Sequence, residues 1–451
     1  MRTIFISLDT VCADRLSILG CSRSVTPNLD AFARESAFFT QAYASDIPTQ
    51  PSHTALFTGR YGLSTGIVSH FHPPARLDEG VAWLPSVFQA RGRRTAAVDH
   101  LFSMKEWFIR GYDDYMVPPG RSRSPASVIN DMGMDWLDRN HGRDFFLFLH
   151  YWDAHIPYLP PEPFKSALAP LSEYQPDPLV ECKLRSRPSY SLFKQNLYDH
   201  LDSIPSLEYI EALHYAELAY LDSELGRLFD HLDGLGVLDD SLVVVFGDHG
   251  EVMTEHDSWF DHAGLYDSVV HVPLMIRAPG LIRPSRIDTM VSLVDVMPTV
   301  LELQGLTPAS GRWVVDGWSL TDLMDGSAKE HRPYVILSEC TWQAKRGVRT
   351  PEWKYIRCWD PGIYPRTESE LYFLPGDPNE QRNVADDHPR VASELDAVLD
   401  RWMAEQMAGR RDPMLEVMEW GLPAVARLRS VMGEGALAVG AAALSPLPAS
   451  R

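Results

Sequence analysis

Short stretches saturated with apolar residues recur along the chain: Thr3–Leu8, Thr95–Val98, Phe145–Leu149 and Ser241–Phe246. Each is too short for a helix and rich in β-branched or aromatic residues, so each reads as a buried strand. Helical periodicity lies between them. Pro27-Asn28-Leu29-Asp30 opens a helix with Leu29, Phe32 and Ala33 on one face, and further helices fall near Leu84–Ala90 and Val128–Arg139. From Ala216, Leu218, Leu221, Leu225, Leu228 and Leu232 stay in register until Gly234 and Gly236. Strands buried on both faces and alternating with helices predict an α/β fold with a mainly parallel central sheet sandwiched by helices. Ligands in such folds collect at the carboxyl ends of the strands. Asp9, Asp99-His100, His150 to His155 and Asp248-His249 all fall at such ends.

Beyond residue 330 the pattern changes. Strand signals at Tyr334–Ser338, Gly347–Arg349, Lys354–Arg357 and Leu371–Leu374 predict a small antiparallel sheet. A helix over Val391–Met403 would cross it, with Val391, Leu395, Val398 and Trp402 on one face. The proline-rich stretch 157–210 lacks periodicity and reads as a surface insertion that could cover a site. The expected organisation is a catalytic α/β domain at 1–330, a C-terminal α+β subdomain at 331–408 and an extension at 409–451. The Ala/Gly/Pro-rich end from Gly433 is expected to be mobile.

A chain of 451 residues suits one large domain with a smaller one. Its net charge of −20 argues against a nucleic-acid or anionic-membrane surface, and means that an anionic ligand needs a local cation. The five cysteines show no metal-ligand spacing and fit reduced thiols. No signal-peptide pattern precedes Asp9, and no apolar run approaches the roughly 20 residues that span a bilayer. The expectation is a cytoplasmic protein acting on a small substrate, with no membrane or nucleic-acid partner and with oligomerisation left open.

The stretch richest in chemistry is Asp46–Arg60, Asp-Ile-Pro-Thr-Gln-Pro-Ser-His-Thr-Ala-Leu-Phe-Thr-Gly-Arg. Pro48 and Pro51 are expected to hold Thr49 in a stiff, non-helical segment, Ser52 to cap a short helix and Gly59 to end it. A hydroxyl there would face a helix N-terminus, where an anionic ester is favoured. Read alone, the stretch is equally a proline-bracketed turn, and Asp9 equally a turn former.

Taken together, Thr49-Gln-Pro-Ser-His53, Thr58-Gly59-Arg60, Asp153-Ala-His155-Ile-Pro-Tyr158 and Asp248-His-Gly-Glu251 resemble the sulfatase family of the alkaline-phosphatase-like superfamily. Asp261-His262 and Leu293-Val-Asp-Val-Met-Pro-Thr299 extend the resemblance, which covers about residues 1–405. It implies a divalent ion held by Asp9, Asp248, His249 and Thr49, with His155 and His262 serving the leaving group. It also implies substrate contacts from His53, Arg60, His100 and Asp261. Two carboxylates and an imidazole favour Mn²⁺ or Zn²⁺, with Ca²⁺ or Mg²⁺ open.

The chain departs from the family pattern at telling positions. Thr49 replaces the Cys or Ser that becomes formylglycine, His53 replaces an arginine, and Asp99 and Asp261 stand where substrate lysines are usual. Threonine has no route to formylglycine. A phosphothreonine can be hydrolysed, whereas an alkyl sulfate on threonine has no ready exit. The expected substrate is therefore a phosphate mono- or diester or a phosphonate ester. The alternatives are sulfuric ester hydrolysis, phosphoryl transfer and a non-catalytic binding homologue. Asp261 could hold a second ion with His262, His100 or His53, meet a cationic group on the substrate, or simply cap a loop.

Overall fold

The central strand of the large sheet, β1 (Arg2–Leu8), is flanked on both sides by parallel neighbours, and this places three strand ends together. The computed structural model describes residues 1–432 apart from 121–123, 188, 202, 309–312 and 366. The tail expected to be mobile, 433–451, lies outside the described residues.

The following strands are β2 (Ala37–Tyr43), β3 (Asp46–Ile47), β4 (Arg94–Val98), β5 (Asp114–Met116), β6 (Phe145–Tyr151) and β7 (Ser241–Gly247). Next come β8 (His271–Arg277), β9 (Ser285–Ile287) and β10 (Val291–Ser292). Among the described residues the large sheet runs β10-β2-β8-β7-β1-β6-β4-β5, with β9 beside β2. It is parallel except where β8 meets β2 and β7.

Alternate residues of β1 enter different cores. Phe5 packs in one with Phe57, Phe146 and Phe246, whereas Ile4, Ile6 and Leu8 meet Leu218, Leu221, Leu225 and Leu228 in the other. Burial on both faces is why these strands read as continuous apolar runs.

The long helix that carries those leucines spans Leu207–Gly234 and starts before Ala216, because Ser206 caps it: its Oγ accepts from Tyr209 N at 3.4 Å. Tyr209, Ile210 and Leu213 in its extra turns are buried against the insertion. The insertion contains short helices at Phe164–Leu168, Val180–Arg185 and Tyr190–Asn196. Leu184, Phe193 and Leu197 give it a small core of its own.

The second sheet contains β11 (Val335–Cys340), β12 (Ala344–Arg349), β13 (Trp353–Asp360) and β14 (Ser369–Phe373), all antiparallel. Its far edge is β3, which pairs in parallel with β11 through Asp46↔Ser338 and Ile47↔Glu339. The helix Pro389–Met407 lies across it and sets Trp402 edge-on to Tyr61, 5.1 Å between centroids. Beyond the expected subdomain boundary, helices Pro413–Trp420 and Pro423–Met432 fold back over the molecule.

Asp295 explains the Leu293–Thr299 segment. Its buried carboxylate accepts from Ser292 N (2.9 Å) and Trp318 N (2.8 Å), and pairs with Arg332 and His331. This fixes the helix Val296–Leu303 under the end of the helix Thr49–Thr58, where Gly59 sits at φ 62° with Met297 and Pro298 close by. No helix among the described residues is long and apolar enough to cross a membrane.

Candidate active site

Thr49 is the first residue of the helix Thr49–Thr58, which corrects the expectation of a non-helical Thr49 and a Ser52 cap. A proline tolerates the first turn of a helix, so Pro51 does not delay its start. Ser52 lies inside, and its Oγ donates to the Asp248 carbonyl at 2.7 Å, tying the helix to the end of β7. Gly59 ends the helix in the left-handed region, as expected. Phe57 anchors it to the sheet, edge-on to Phe148 at 5.1 Å and stacked on Phe5 at 6.1 Å.

Because β7 and β1 run in parallel register, with Leu8↔Gly247, Asp9 and Asp248 leave the sheet side by side. Ligand atoms of Asp9, Asp248 and His249 all lie within 4.8 Å of one another, and all three side chains are fully buried. Asp9 Oδ1 and Asp248 Oδ2 accept no hydrogen bond among the described residues. Burial and the adjacent Asp9 charge push Asp248 up to about 7. Two buried carboxylate oxygens without a donor are costly, and a divalent ion would relieve both at once. His249 Nδ1 lies 2.9 Å from the Gly250 carbonyl and so donates to it, leaving the Nε2 lone pair towards Thr49 Oγ1 at 3.0 Å. The donor set therefore fits a metal, in the place expected. Thr10 follows Asp9, and its hydroxyl donates back to the Asp9 carbonyl at 2.8 Å.

A cavity of about 930 Å³ opens over Thr49, walled by His70, His155, Asp261 and His262 among others. His155 and His262 face one another with ring centroids 5.4 Å apart, and His262 is 4.8 Å from the His249 ring. His262 Nδ1 lies 3.6 Å from Asp261 and 3.8 Å from Glu251. Asp261 Oδ1 accepts from Trp342 Nε1 at 2.9 Å, and burial raises its pKa. The described residues hold one cluster of metal-ligating groups, the Asp9 trio, so Asp261 is a wall residue held by an indole.

Three expected substrate contacts, His53, Arg60 and His100, do not line the cavity, although His53 Nδ1 lies 3.5 Å from Asp248 Oδ2. His53 is fully buried, with Nε2 2.8 Å from Ser7 Oγ and Nδ1 2.8 Å from the Thr49 carbonyl. Burial pushes it down to about 3, so it is neutral and brings none of the charge of the arginine it replaces. Arg60 follows the far end of the Thr49–Thr58 helix, roughly 15 Å along its axis from Thr49. His100 is buried beside Ser124, Nε2 to Oγ 3.4 Å, and takes no part in the cavity wall.

His150 and His70 were not anticipated. His150 bridges two carboxylates, Nδ1 to Asp99 at 2.7 Å and Nε2 to Asp9 at 3.2 Å. Burial opposes its charge, but those two bonds outweigh it and raise His150 to about 10. Its signal was present: it sits on the apolar β6, opposite Ser7 of β1, two residues before Asp9. His70 Nδ1 accepts from Gln50 N at 3.4 Å, and burial with the His262 and His249 rings pushes it down to about 3. No spacing in the sequence marks it.

A mainly parallel sheet, a trio of buried metal-ligating side chains at its carboxyl edge and a hydroxyl at a helix N-terminus define an alkaline-phosphatase-like protein. The sulfatase family profile matches residues 2–306, and the chain belongs to the sulfatase family. A second profile, N-sulphoglucosamine sulphohydrolase, C-terminal, matches 254–407. Arylsulfatase K of Mus musculus is 29% identical over 293 residues, covering 60% of this chain and 52% of the mouse protein. This chain thus spans about half the length of that relative. Arylsulfatase K of Bos taurus is 29% identical over 421 residues, 83% of this chain and 76% of the bovine one. The phosphonate monoester hydrolase of Agrobacterium radiobacter shares the fold at a TM-score of 0.73 with 21% identity, covering 90% of this chain and 96% of that one.

Proposed function

We propose that this protein is a metal-dependent hydrolase of anionic esters that works through a covalent Thr49 intermediate, with phosphate and phosphonate esters as substrates. The observation that carries this reading is Thr49 Oγ1 at 3.0 Å from His249 Nε2, at the edge of the Asp9–Asp248–His249 trio. A divalent ion held by that trio lowers the cost of a Thr49 alkoxide and offsets the two carboxylate charges.

Thr49 Oγ1 attacks phosphorus in line as the alkoxide, the form in which the second step releases it again, and the bond to the departing alcohol breaks as the Oγ1–P bond forms. Thr49 opens the Thr49–Thr58 helix, so the positive end of the helix dipole lies at the attacking hydroxyl and favours the anion. His155 or His262, which face each other across the cavity, gives the alcohol oxygen its proton. Water then attacks phosphorus, the Oγ1–P bond breaks and the imidazole recovers its proton from that water.

A sulfate ester is the second reading, favoured by the arylsulfatase K relatives. Parallel turnover of aryl phosphate, phosphodiester, phosphonate and sulfate esters by the metal-reconstituted protein tests the order. Rates on a sulfate ester above those on all phosphorus esters would reverse it. Stoichiometric metal with no turnover of any ester would point to a binding protein instead.

A further inference from the structure

The cavity over Thr49 is short of positive charge. Two positions where lysine is usual carry Asp99 and Asp261, and His53 is neutral and buried. Among the described wall residues, Arg427 is the one lysine or arginine. It belongs to the helix Pro423–Met432, which lies beyond both family profiles, the second of which ends at 407.

The position of this helix is set by packing. Leu428, the next residue, is fully buried in a cluster with Leu192 of the insertion and Trp342 beside Asp261. Ala424 N donates to the Thr341 carbonyl at 3.2 Å, a second tie to the same loop. Arg427 itself is exposed, and no carboxylate among the described residues pairs with it, yet its charge reaches His70 on the cavity wall. The preceding helix contributes Trp420, 66% exposed although it lines the cavity, with its ring 6.3 Å from that of His72. Arg427 and Trp420 thus place an unpaired guanidinium and an accessible indole on the wall of the cavity over Thr49, where one ligand can reach both.

We infer that the two C-terminal helices form the substrate-recognition wall of this enzyme, with Arg427 receiving the negative charge of the ester and Trp420 stacking on a flat, apolar alcohol moiety. This rests on the hydrolase reading above. With a net charge of −20, the protein repels an approaching anion, and a single exposed guanidinium at the cavity offers the local attraction that entry needs. The favoured substrate class is a ring-bearing ester anion.

The test compares wild type with Arg427→Ala, Arg427→Lys and Trp420→Ala on the 4-nitrophenyl ester that turns over best and on the matching short alkyl ester. For Arg427→Ala the expected result is a KM raised about ten-fold with kcat changed less than three-fold, and with the salt dependence of KM flattened. Arg427→Lys should restore most of the loss. Trp420→Ala should raise KM for the aryl ester and leave the alkyl ester unaffected, because only a ring can stack. Unchanged KM and salt dependence in Arg427→Ala would overturn the proposal, even with Thr49→Ala inactive and the hydrolase reading intact. Calorimetric titration with orthovanadate and inorganic sulfate gives a readout without turnover. Weaker binding to Arg427→Ala would support the anion role even in a protein inactive on every ester, and equal binding to both proteins would sink it.

Discussion

Thr49 Oγ1 and His249 Nε2 approach to 3.0 Å although 200 residues separate them in the chain. The first belongs to a helix start and the second follows the end of β7, so the pair exists only because helix and sheet dock. If Thr49 is the nucleophile, Thr49→Ala should lose at least about a thousand-fold in kcat while keeping its metal and melting temperature. Thr49→Ser should retain measurable turnover. An alanine variant within ten-fold of wild type would refute the assignment.

Metal content should follow the trio. Asp248→Ala and His249→Ala each remove a ligand, so elemental analysis should show metal and activity falling together. Asp261→Asn should keep the wild-type stoichiometry, because that carboxylate is held by Trp342. Loss of one of two ions in Asp261→Asn would restore the idea of a second site.

Docking of the Thr49–Thr58 helix depends on Phe57, packed among Phe5, Phe148 and Trp83. Phe57→Ala should cost about 3–5 kcal/mol by chemical denaturation, since a fully buried ring leaves a cavity. A loss under about 1 kcal/mol would mean that the helix is held by other contacts.

Asp295 predicts an acid-sensitive fold. Burial opposes its charge, but Arg332 and His331 outweigh that and hold its pKa below the usual carboxylate range. A depressed carboxylate adds stability that is fully present above its unfolded pKa of about 3.9, and is lost as pH falls towards the folded value. Asp295→Asn should be about 3–5 kcal/mol less stable at pH 7, because Arg332 stays buried without its partner. Between pH 5 and pH 3 it should lose less further stability than wild type. Parallel melting curves with equal acid slopes would contradict this.

The sheet and its flanking helices were legible because burial on both faces leaves a bare apolar signature, whereas the trio was legible through the resemblance of Asp248-His-Gly-Glu251, since Asp9 alone reads equally as a turn former. The helix at Thr49 began earlier than expected because proline in a first turn is permissive, so Pro51 was a poor boundary marker. His53 and Arg60 were placed by analogy of position. Substituting arginine by histidine shortened the side chain and let it fold inward onto Ser7, and the helix length carried Arg60 away. His100 turned towards Ser124, a pairing across 24 residues that no local pattern announces. Arg427 and Trp420 lie where no family segment extends, and their role depends on a tertiary fold-back.

The parallel pairing of β3 with β11 means that the two residues leading into Pro48 and Thr49 are threaded into the smaller sheet. A chain cut near residue 330 would leave Asp46 and Ile47 as an unpaired edge, and would release the entry to the Thr49–Thr58 helix. The smaller sheet is thus a clamp on Thr49. Split halves of the protein should recover turnover only when mixed, because either half alone lacks one jaw of that clamp.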